Sequence, residues 1–343
     1  MKCLQSPAGS GTALAFYLLL IVSLSTISGC VKDRPEKKLK IITIATGFSE
    51  PLGLEIDKGG NIWVSDAGSG KNDGKVSVIT KDGAKHDVIT DFESYTIDNG
   101  EVEGPAHLLF DDGVLYILGG RGKLYKASES LLKPGKGTIK ASSLGVEDLG
   151  AFILPYQFVN ETNETHLYNL SKGPDGSIYI ADAAANAIIR REKKTGALSV
   201  ITEVPGIANP TPVGPPQIQS VPTGIYYDGQ NFFITTLLGF PFPPGKSIIY
   251  KMTPAGATSI YQQGFTSLVD IAEGDSRGYL VLEHGVFGPT GFGPNTGRLV
   301  WANGSNITEL TGGLNMPAAL KQQNNHTWYV TSVGDGSVLK IYY

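Results

Sequence analysis

Residues 169–191 read NLSKGPDGSIYIADAAANAIIRR. A short apolar run is followed by a PDG turn, a second run rich in β-branched and aromatic residues, a tight turn and a third run, AIIRR. β-forming runs of this length, separated by turn residues, predict three consecutive antiparallel strands. The same order of features occurs six times along the chain, so this stretch is one unit of a repeat.

The six copies have the spacing that is typical of propeller blades. Their aligned starts are Gly53, His107, Asn169, Gly224, Asp270 and Ala319, so neighbouring starts are 46 (224 to 270) to 62 (107 to 169) residues apart. This spacing matches one blade of a β-propeller. Further β-like runs at 86–92, 197–204 and 258–265 each predict a fourth, outer strand.

The two ends of the repeat region predict closure of the ring. Residues 40–48, KIITIATGF, form an unmatched β-like run before the first copy, and the sixth copy ends at Tyr343 without a fourth strand. Pairing these ends removes two exposed sheet edges. We therefore predict an all-β, six-bladed β-propeller of four-stranded blades over residues 40–343, closed by the N-terminal strand on the last blade. Another sandwich or barrel is the alternative.

The amino terminus predicts export. Residues 13–27 are an apolar run, short for a membrane span but suited to a signal peptide, and Ile27-Ser28-Gly29-Cys30 resembles the bacterial lipobox. We expect residues 1–29 to be a lipoprotein signal peptide, Cys30 to be lipidated, and 30–39 to be a polar tether. The expected location is the bacterial envelope, periplasmic or outer-membrane. An uncleaved anchor or an ordinary secretory signal are the alternatives.

Composition narrows the range of functions. The chain has 343 residues with 44 Gly and 20 Pro, a formal net charge of −4, and no basic patch interleaved with aromatics, so nucleic acid is not an expected partner. Its two cysteines are Cys3 and Cys30. If Cys3 leaves with the signal peptide, no disulfide forms within the mature chain, and packing must stabilise the fold.

Several segments resemble one family of exported propellers. These are GPDGSIYIADAAANAI (173–188), VPTGI (221–225), TTLLGFPFPPGKSIIYKM (235–252) and QGFTSLVDIAEG (263–274). Together they resemble the ScyD/ScyE family of NHL-like six-bladed propellers, some of which belong to gene clusters for the pigment scytonemin. The resemblance covers nearly the whole mature chain and implies fold and compartment rather than a reaction. Where relatives resemble SNPYDL, this chain has THLYNL (165–170), which puts any role of that Asn or Asp in doubt.

The residues that precede the inner strands are candidates for a metal site. Propellers bind ligands at the channel mouth where the inner strands begin, and Glu50, Glu103, His166 and Asn315 stand there with Ser220 and Ser267. Carboxylate, imidazole and amide groups around one axis suit a divalent cation such as Ca²⁺ or Mg²⁺. This pattern resembles regucalcin-like lactonases, where a metal polarises an ester carbonyl. A channel that is polar only because it holds water is the alternative.

Further candidates lie in two places: at the end of the second strand of each blade, and in one long loop. Asp66, Asp182 and Glu283 occupy equivalent positions there, with Thr235 and Ser332. They are ligand-binding candidates, although Asp before a tight turn commonly caps backbone N–H groups. Phe240 and Phe242, in the proline-rich loop LLGFPFPPG (237–245), either cap the gap between blades 4 and 5 or form an aromatic wall beside the ligand.

Two classes of function remain open on the sequence. The first is a lipid-anchored module that presents its loops to a small molecule, a glycan or a partner protein, because no catalytic motif such as GxSxG or HExxH occurs in a fitting context. The second is an enzyme at the channel mouth, either a metal-dependent lactonase or hydrolase or a catalyst acting on aromatic pigment-type intermediates. The fold alone does not choose between them.

Overall fold

The computed structural model describes residues 38–97, 100–159, 163–275 and 277–343. The predicted signal peptide, Cys30 and most of the tether lie outside these described residues. Residues 39–343 form one compact unit. In the described ranges no helix has both the length and the apolar character needed to cross a bilayer.

Six antiparallel sheets follow one another along the chain, as the repeat predicts. From the inner to the outer strand, blade 1 is built from Pro51–Ile56, Ile62–Asp66, Gly74–Ile79 and Lys85–Phe92. Blade 2 is built from Leu108–Asp111, Val114–Gly119, Lys123–Ser128 and Gly145–Asp148. Blade 3 is built from Leu167–Lys172, Ile178–Asp182, Ala187–Arg191 and Leu198–Glu203. Blade 4 is built from Pro222–Tyr227, Phe232–Thr236, Ser247–Met252 and Thr258–Phe265. Blade 5 is built from Leu268–Asp275, Gly278–Glu283, Gly297–Ala302 and Ile307–Leu314. Blade 6 is built from Pro317–Asn324, Thr327–Ser332, Ser337–Tyr342 and Lys40–Thr46.

The ring closes as predicted. Lys40–Thr46 pairs antiparallel with Ser337–Tyr342, with Lys40 opposite Tyr342 and Thr46 opposite Ser337. The first strand of the chain is thus the outer strand of the last blade. The predicted six-bladed architecture and its closure are confirmed.

Short elements decorate this frame. The helical segments are Glu129–Leu131, Ala141–Ser143 and Gly150–Ile153, and Ile139–Lys140 adds in parallel to the outer strand of blade 1. Three two-stranded ribbons are Tyr95–Thr96 with Val102–Glu103, Ile207–Ala208 with Gln217–Ile218, and Phe287–Gly288 with Gly291–Phe292. By topology, all three ribbons lie on the face where the inner strands begin.

Aromatic contacts join neighbouring blades. Trp63 packs edge-on against Phe110 between blades 1 and 2, with centroids 5.6 Å apart, and Trp301 packs against Trp328 between blades 5 and 6 at 6.2 Å. Burying such large side chains between sheets contributes to the hydrophobic stabilisation of the fold. The core of the molecule is therefore a ring of interfaces between blades, which surrounds the central channel.

Glycine allows the inner strands to approach one another closely. A β-carbon on Gly224 would lie 2.7 Å from the Cα atom of Asp270 in the next blade, and one on Gly53 would lie 2.4 Å from the carbonyl oxygen of Ala106. A side chain at either position would push neighbouring inner strands apart, which explains why these two of the six copies begin with glycine.

Candidate functional site

The upper mouth, defined as the end of the channel where the inner strands begin, contains a cavity of about 280 Å³. Its apolar lining residues are Leu52, Val102, Leu237, Val269, Phe292, Met316, Ala318 and Val333. Its polar lining residues are Glu50, Glu101, His166, Tyr168, Thr223 and His284. A mostly apolar cavity with a few convergent polar groups is the usual form of a small-molecule site.

An ion pair of Glu103 and His166 lies at one side of this upper cavity. His166 Nδ1 is 3.2 Å from Glu103 Oε1, and the Tyr95 hydroxyl donates a hydrogen bond to the other oxygen of Glu103. Burial opposes the charge on both partners, but their hydrogen bond, their Coulomb attraction and smaller contributions from neighbouring groups together outweigh it, which raises the pKa of His166 and lowers the pKa of Glu103. The imidazole at this wall therefore favours its cationic form.

His284 presents the opposite protonation preference. Its Nδ1 lies 3.0 Å from the carbonyl oxygen of Pro317, which can only accept, so Nδ1 carries the proton. Burial lowers the pKa of His284, and the bond to Pro317 only partly opposes this. The ring stands edge-on to Phe292 with centroids 4.6 Å apart. His284 therefore favours its neutral form, in which Nε2 is the hydrogen-bond acceptor of the ring.

Glu50 and Tyr168 are two further polar residues of the upper cavity. Burial and then the charges of Asp66 and Glu101 raise the pKa of Glu50, which favours its protonated form. Burial, with contributions from Asp270 and Glu101, also raises the pKa of Tyr168. Both groups can therefore present O–H donors to a ligand.

The carboxylates at the ends of the second strands hold the backbone of their own blades. Asp66 accepts hydrogen bonds from the N–H groups of Ser49, Glu50 and Gly68 at 2.8 to 3.2 Å. These bonds fix the segment that carries Glu50 to the upper cavity. The Asp66 side chain thus acts as a backbone cap and is itself fully buried.

Asp182 and Glu283 are bound in the same way. Asp182 accepts from the N–H groups of His166 and Ala185, and burial raises its pKa. Glu283 accepts from the N–H of Thr266 and from the guanidinium of Arg298 at 2.6 Å. Glu283 is committed to these bonds, whereas its neighbour His284 lines the upper cavity.

The proposed metal residues do not form one donor set. Glu103 is bonded to Tyr95 and His166, whereas the Asn315 amide donates to Asp335 at 2.7 Å and does not line the upper cavity. Within the described residues, no three His, Cys, Asp or Glu side chains are grouped so that they could share a metal ion. A divalent cation at this mouth stays a prediction.

The loop 237–245 connects the blade interface with the upper cavity. Phe242 packs on Phe287 and Phe292 of blade 5, with centroids 4.6 and 5.3 Å away, and Phe292 lines the cavity. Phe240 is 48% exposed and lies edge-on to Phe287 at 6.3 Å. Phe242 therefore bridges blades 4 and 5, and the loop backbone is bonded to residues 219–221 by three N–H groups.

A polar crossbar separates the upper cavity from the lower half of the channel. We use this name for Asp270 of blade 5 with Asn169 of blade 3 and Leu320 of blade 6. Asp270 accepts from Asn169 Nδ2 at 2.9 Å and from the Leu320 N–H at 2.7 Å. The crossbar joins three blades across the axis.

Sequence reasoning missed part of the site. Tyr168, Phe292 and Met316 were not predicted to line a cavity, and the role of Asp270 in the crossbar was not predicted either. An aromatic residue inside an inner strand was the only signal for Tyr168, and it does not distinguish a channel residue from a core residue.

Comparison with solved structures identifies the class of protein. Virginiamycin B lyase from Staphylococcus aureus is similar over 89% of this chain and 99% of its own, with a TM-score of 0.52 and 15% identity. A gluconolactonase from Xanthomonas campestris covers 89% and 90% (TM-score 0.55, 9% identity), and an aldose sugar dehydrogenase from Streptomyces coelicolor covers 89% and 98% (TM-score 0.57, 14% identity). The chain is a six-bladed β-propeller.

At these identities the similarity concerns the fold alone. No protein-family model matches the sequence, and no curated protein matches it at a significant level. The particular function must therefore be argued from the site.

Proposed function

We propose that this protein binds a small molecule with an aromatic or otherwise apolar body and an anionic group, in the upper cavity. The observation that carries the proposal is an apolar cavity of about 280 Å³ whose wall holds a histidine, His166, with a raised pKa. Apolar walls supply affinity for the body of a ligand, and a positioned cation selects the charge.

The apolar wall is suited to a flat ring. Phe292 lies at the cavity, held in place by Phe242, Phe287 and His284, so its ring is fixed before a ligand arrives. A preorganised aromatic surface lowers the entropy cost of binding. Leu237 and Met316 extend this wall with further apolar surface.

The family and the location belong to the same proposal. The motifs at 173–188 and 221–274 support membership of the ScyD/ScyE family, and the lipobox at 27–30 supports attachment to the bacterial envelope through Cys30. A lipid-anchored propeller that presents its upper mouth could collect aromatic small molecules at a membrane surface. Mass spectrometry of the mature N-terminus tests the anchor: an unmodified Cys30 would rule it out.

The binding proposal can be tested with a pair of probes that differ in charge. Indole-3-acetate and its neutral isostere indole-3-acetamide are titrated into the full-length protein by calorimetry. We expect the carboxylate to bind more tightly, by about tenfold for one charge-assisted hydrogen bond. His166→Gln should abolish the preference, whereas Lys172→Gln, on the other half of the channel, should preserve it.

The pH dependence gives an independent check on the same proposal. Because Glu103 raises the pKa of His166, the preference for the carboxylate should fade as the pH rises through that raised value. Equal affinity for the two probes at every pH, or no binding of either, would refute the proposal.

An acid–base enzyme is the second candidate, and the opposite pKa shifts of His166 and His284 favour it. His284 Nε2 could take a proton from a water molecule as the water oxygen attacks a lactone carbonyl carbon. His166 could then give its proton to the ring oxygen as the C–O bond breaks. The gluconolactonase among the structural neighbours makes a lactone the first substrate to test.

The enzyme candidate is tested by hydrolysis of δ-gluconolactone above the spontaneous rate. His284→Gln should remove the acceleration, and no acceleration in the wild-type protein would eliminate this candidate. Metal analysis of the purified protein, with Glu50→Gln and Glu103→Gln as variants, tests the divalent cation. Stoichiometric Ca²⁺ or Mg²⁺ that either variant loses would support it, and no bound metal would exclude it.

A further inference from the structure

A second cavity of about 360 Å³ opens at the lower mouth, where the inner strands end. It shares no lining residue with the upper cavity, because the polar crossbar lies between them. We propose that this lower cavity binds a neutral polyhydroxylated small molecule, such as a monosaccharide or a sugar alcohol. The inference concerns a different site from the proposed function and stands independently of it.

Two side chains at the lower cavity have buried polar atoms that lack hydrogen-bond partners within the described residues. His107 is 2% exposed, and neither of its ring nitrogens has a hydrogen bond to any part of the chain that the structure describes. Its Nε2 is 3.7 Å from Asp270 Oδ2, beyond hydrogen-bonding distance. The Oε1 atom of Gln322 is likewise buried and unpaired within the described residues.

These two groups call for a ligand that both donates and accepts. An imidazole always carries at least one N–H donor, and a glutamine oxygen only accepts. Buried polar groups are normally paired, so these three atoms are available to an occupant of the cavity. A hydroxyl group is donor and acceptor at once, and a polyol offers several of them on a small frame.

The charges of the lower cavity disfavour an anionic ligand. Its lining contains three carboxylates, those of Glu55, Asp270 and Glu273, against the two ammonium groups of Lys172 and Lys321. Lys321 is bound to Glu55 at 2.9 Å, and Lys172 is bound to a carboxylate outside the lining. An anion would meet this excess negative charge without an uncommitted lysine among the described lining residues, so these charges disfavour an anion.

An aromatic wall completes the features of a carbohydrate site. Tyr226 and Tyr227 line the cavity beside the polar groups. Burial and the charges of Glu273 and Asp228 raise the pKa of Tyr226 to about 12, so its hydroxyl keeps its proton. Aromatic rings pack against the C–H face of a sugar while planar polar groups bind its hydroxyls.

The test is titration of the full-length protein with D-glucose, D-galactose and myo-inositol, followed by saturation-transfer NMR and calorimetry. We expect saturable binding of at least one probe. His107→Phe and Gln322→Leu should each weaken it by about tenfold, the value of one hydrogen bond in a buried site. His284→Gln, at the upper mouth, should leave it unchanged.

The outcomes decide the proposal. The proposal is overturned if none of the three probes shows saturable binding. It is also overturned if His284→Gln weakens binding and His107→Phe does not, because the sugar would then occupy the upper cavity. If His107→Phe fails to fold, Gln322→Leu provides the same comparison from the cavity wall. Indole-3-acetate binding to the upper cavity is measured separately, so failure of either site leaves the other standing.

Discussion

The polar crossbar makes a quantitative prediction for Asp270→Ala. Asp270 is 4% exposed, and its loss leaves two donors from other blades, Asn169 Nδ2 and the Leu320 N–H, without their acceptor. A buried unsatisfied donor costs about 1–3 kcal/mol, and water entering from the lower cavity would offset part of this. We expect a loss of about 3–4 kcal/mol in the free energy of unfolding.

Guanidinium unfolding at neutral pH measures this loss through the midpoint and the slope of the transition. Asp270→Asn keeps the size and one carbonyl oxygen, so it should lose less, about 1–2 kcal/mol, by orphaning one donor. Asp112→Asn, which changes an exposed carboxylate bonded to Lys193, is the control and should leave the midpoint nearly unchanged. An Asp270→Ala midpoint equal to that of the control would refute the view that the crossbar joins the blades.

Three further predictions follow from the packing and the charges. Phe242→Ala should cost about 1.5–3 kcal/mol because it removes the bridge between blades 4 and 5, whereas the exposed Phe240→Ala should cost less than about 0.5 kcal/mol; equal thermal shifts would contradict this assignment. Gly224→Ala should cost about 1–3 kcal/mol in the same unfolding assay, because its β-carbon would clash with the neighbouring inner strand, and a neutral effect would show that the ring can expand. His166 has a raised pKa, so its stabilisation is complete below its unfolded value of 6.5 and is lost as the pH rises through the folded value; His284 has a lowered pKa, so its contribution is complete above 6.5 and is lost as the pH falls. The melting temperature of His166→Gln should therefore lose the decrease that the wild-type protein shows as the pH rises, and that of His284→Gln should lose the decrease as the pH falls. Identical pH profiles of the two variants would contradict the assigned pKa shifts.

The ring could be predicted from the sequence because each blade is formed mainly by residues that are close together in the chain. Three strands and their turns lie within one copy of the repeat, and the outer runs at 86–92, 197–204 and 258–265 follow directly. Closure was predictable because Lys40–Thr46 had no other partner. In contrast, Ile139–Lys140, which adds to blade 1, is too short to show a periodicity.

The candidate site was predictable only in part. Glu103 and His166 precede the inner strands of neighbouring blades, so their position at one mouth follows from the repeat, and they do lie 3.2 Å apart. The crossbar joins Asn169 to Asp270 over 101 residues, and its geometry depends on which side of each inner strand faces the axis. A one-residue shift in register reverses that side, and weak repeats do not define the register.

The central claim is that the upper cavity binds a small molecule, with His166 contacting its anionic group and the aromatic wall contacting its ring. A crystal structure of the protein soaked with indole-3-acetate tests it most directly. We predict density for the indole ring against Phe292, with the carboxylate within hydrogen-bonding distance of the His166 imidazole. Density only at another surface, or an upper cavity that holds water alone at a saturating probe concentration, would contradict the claim.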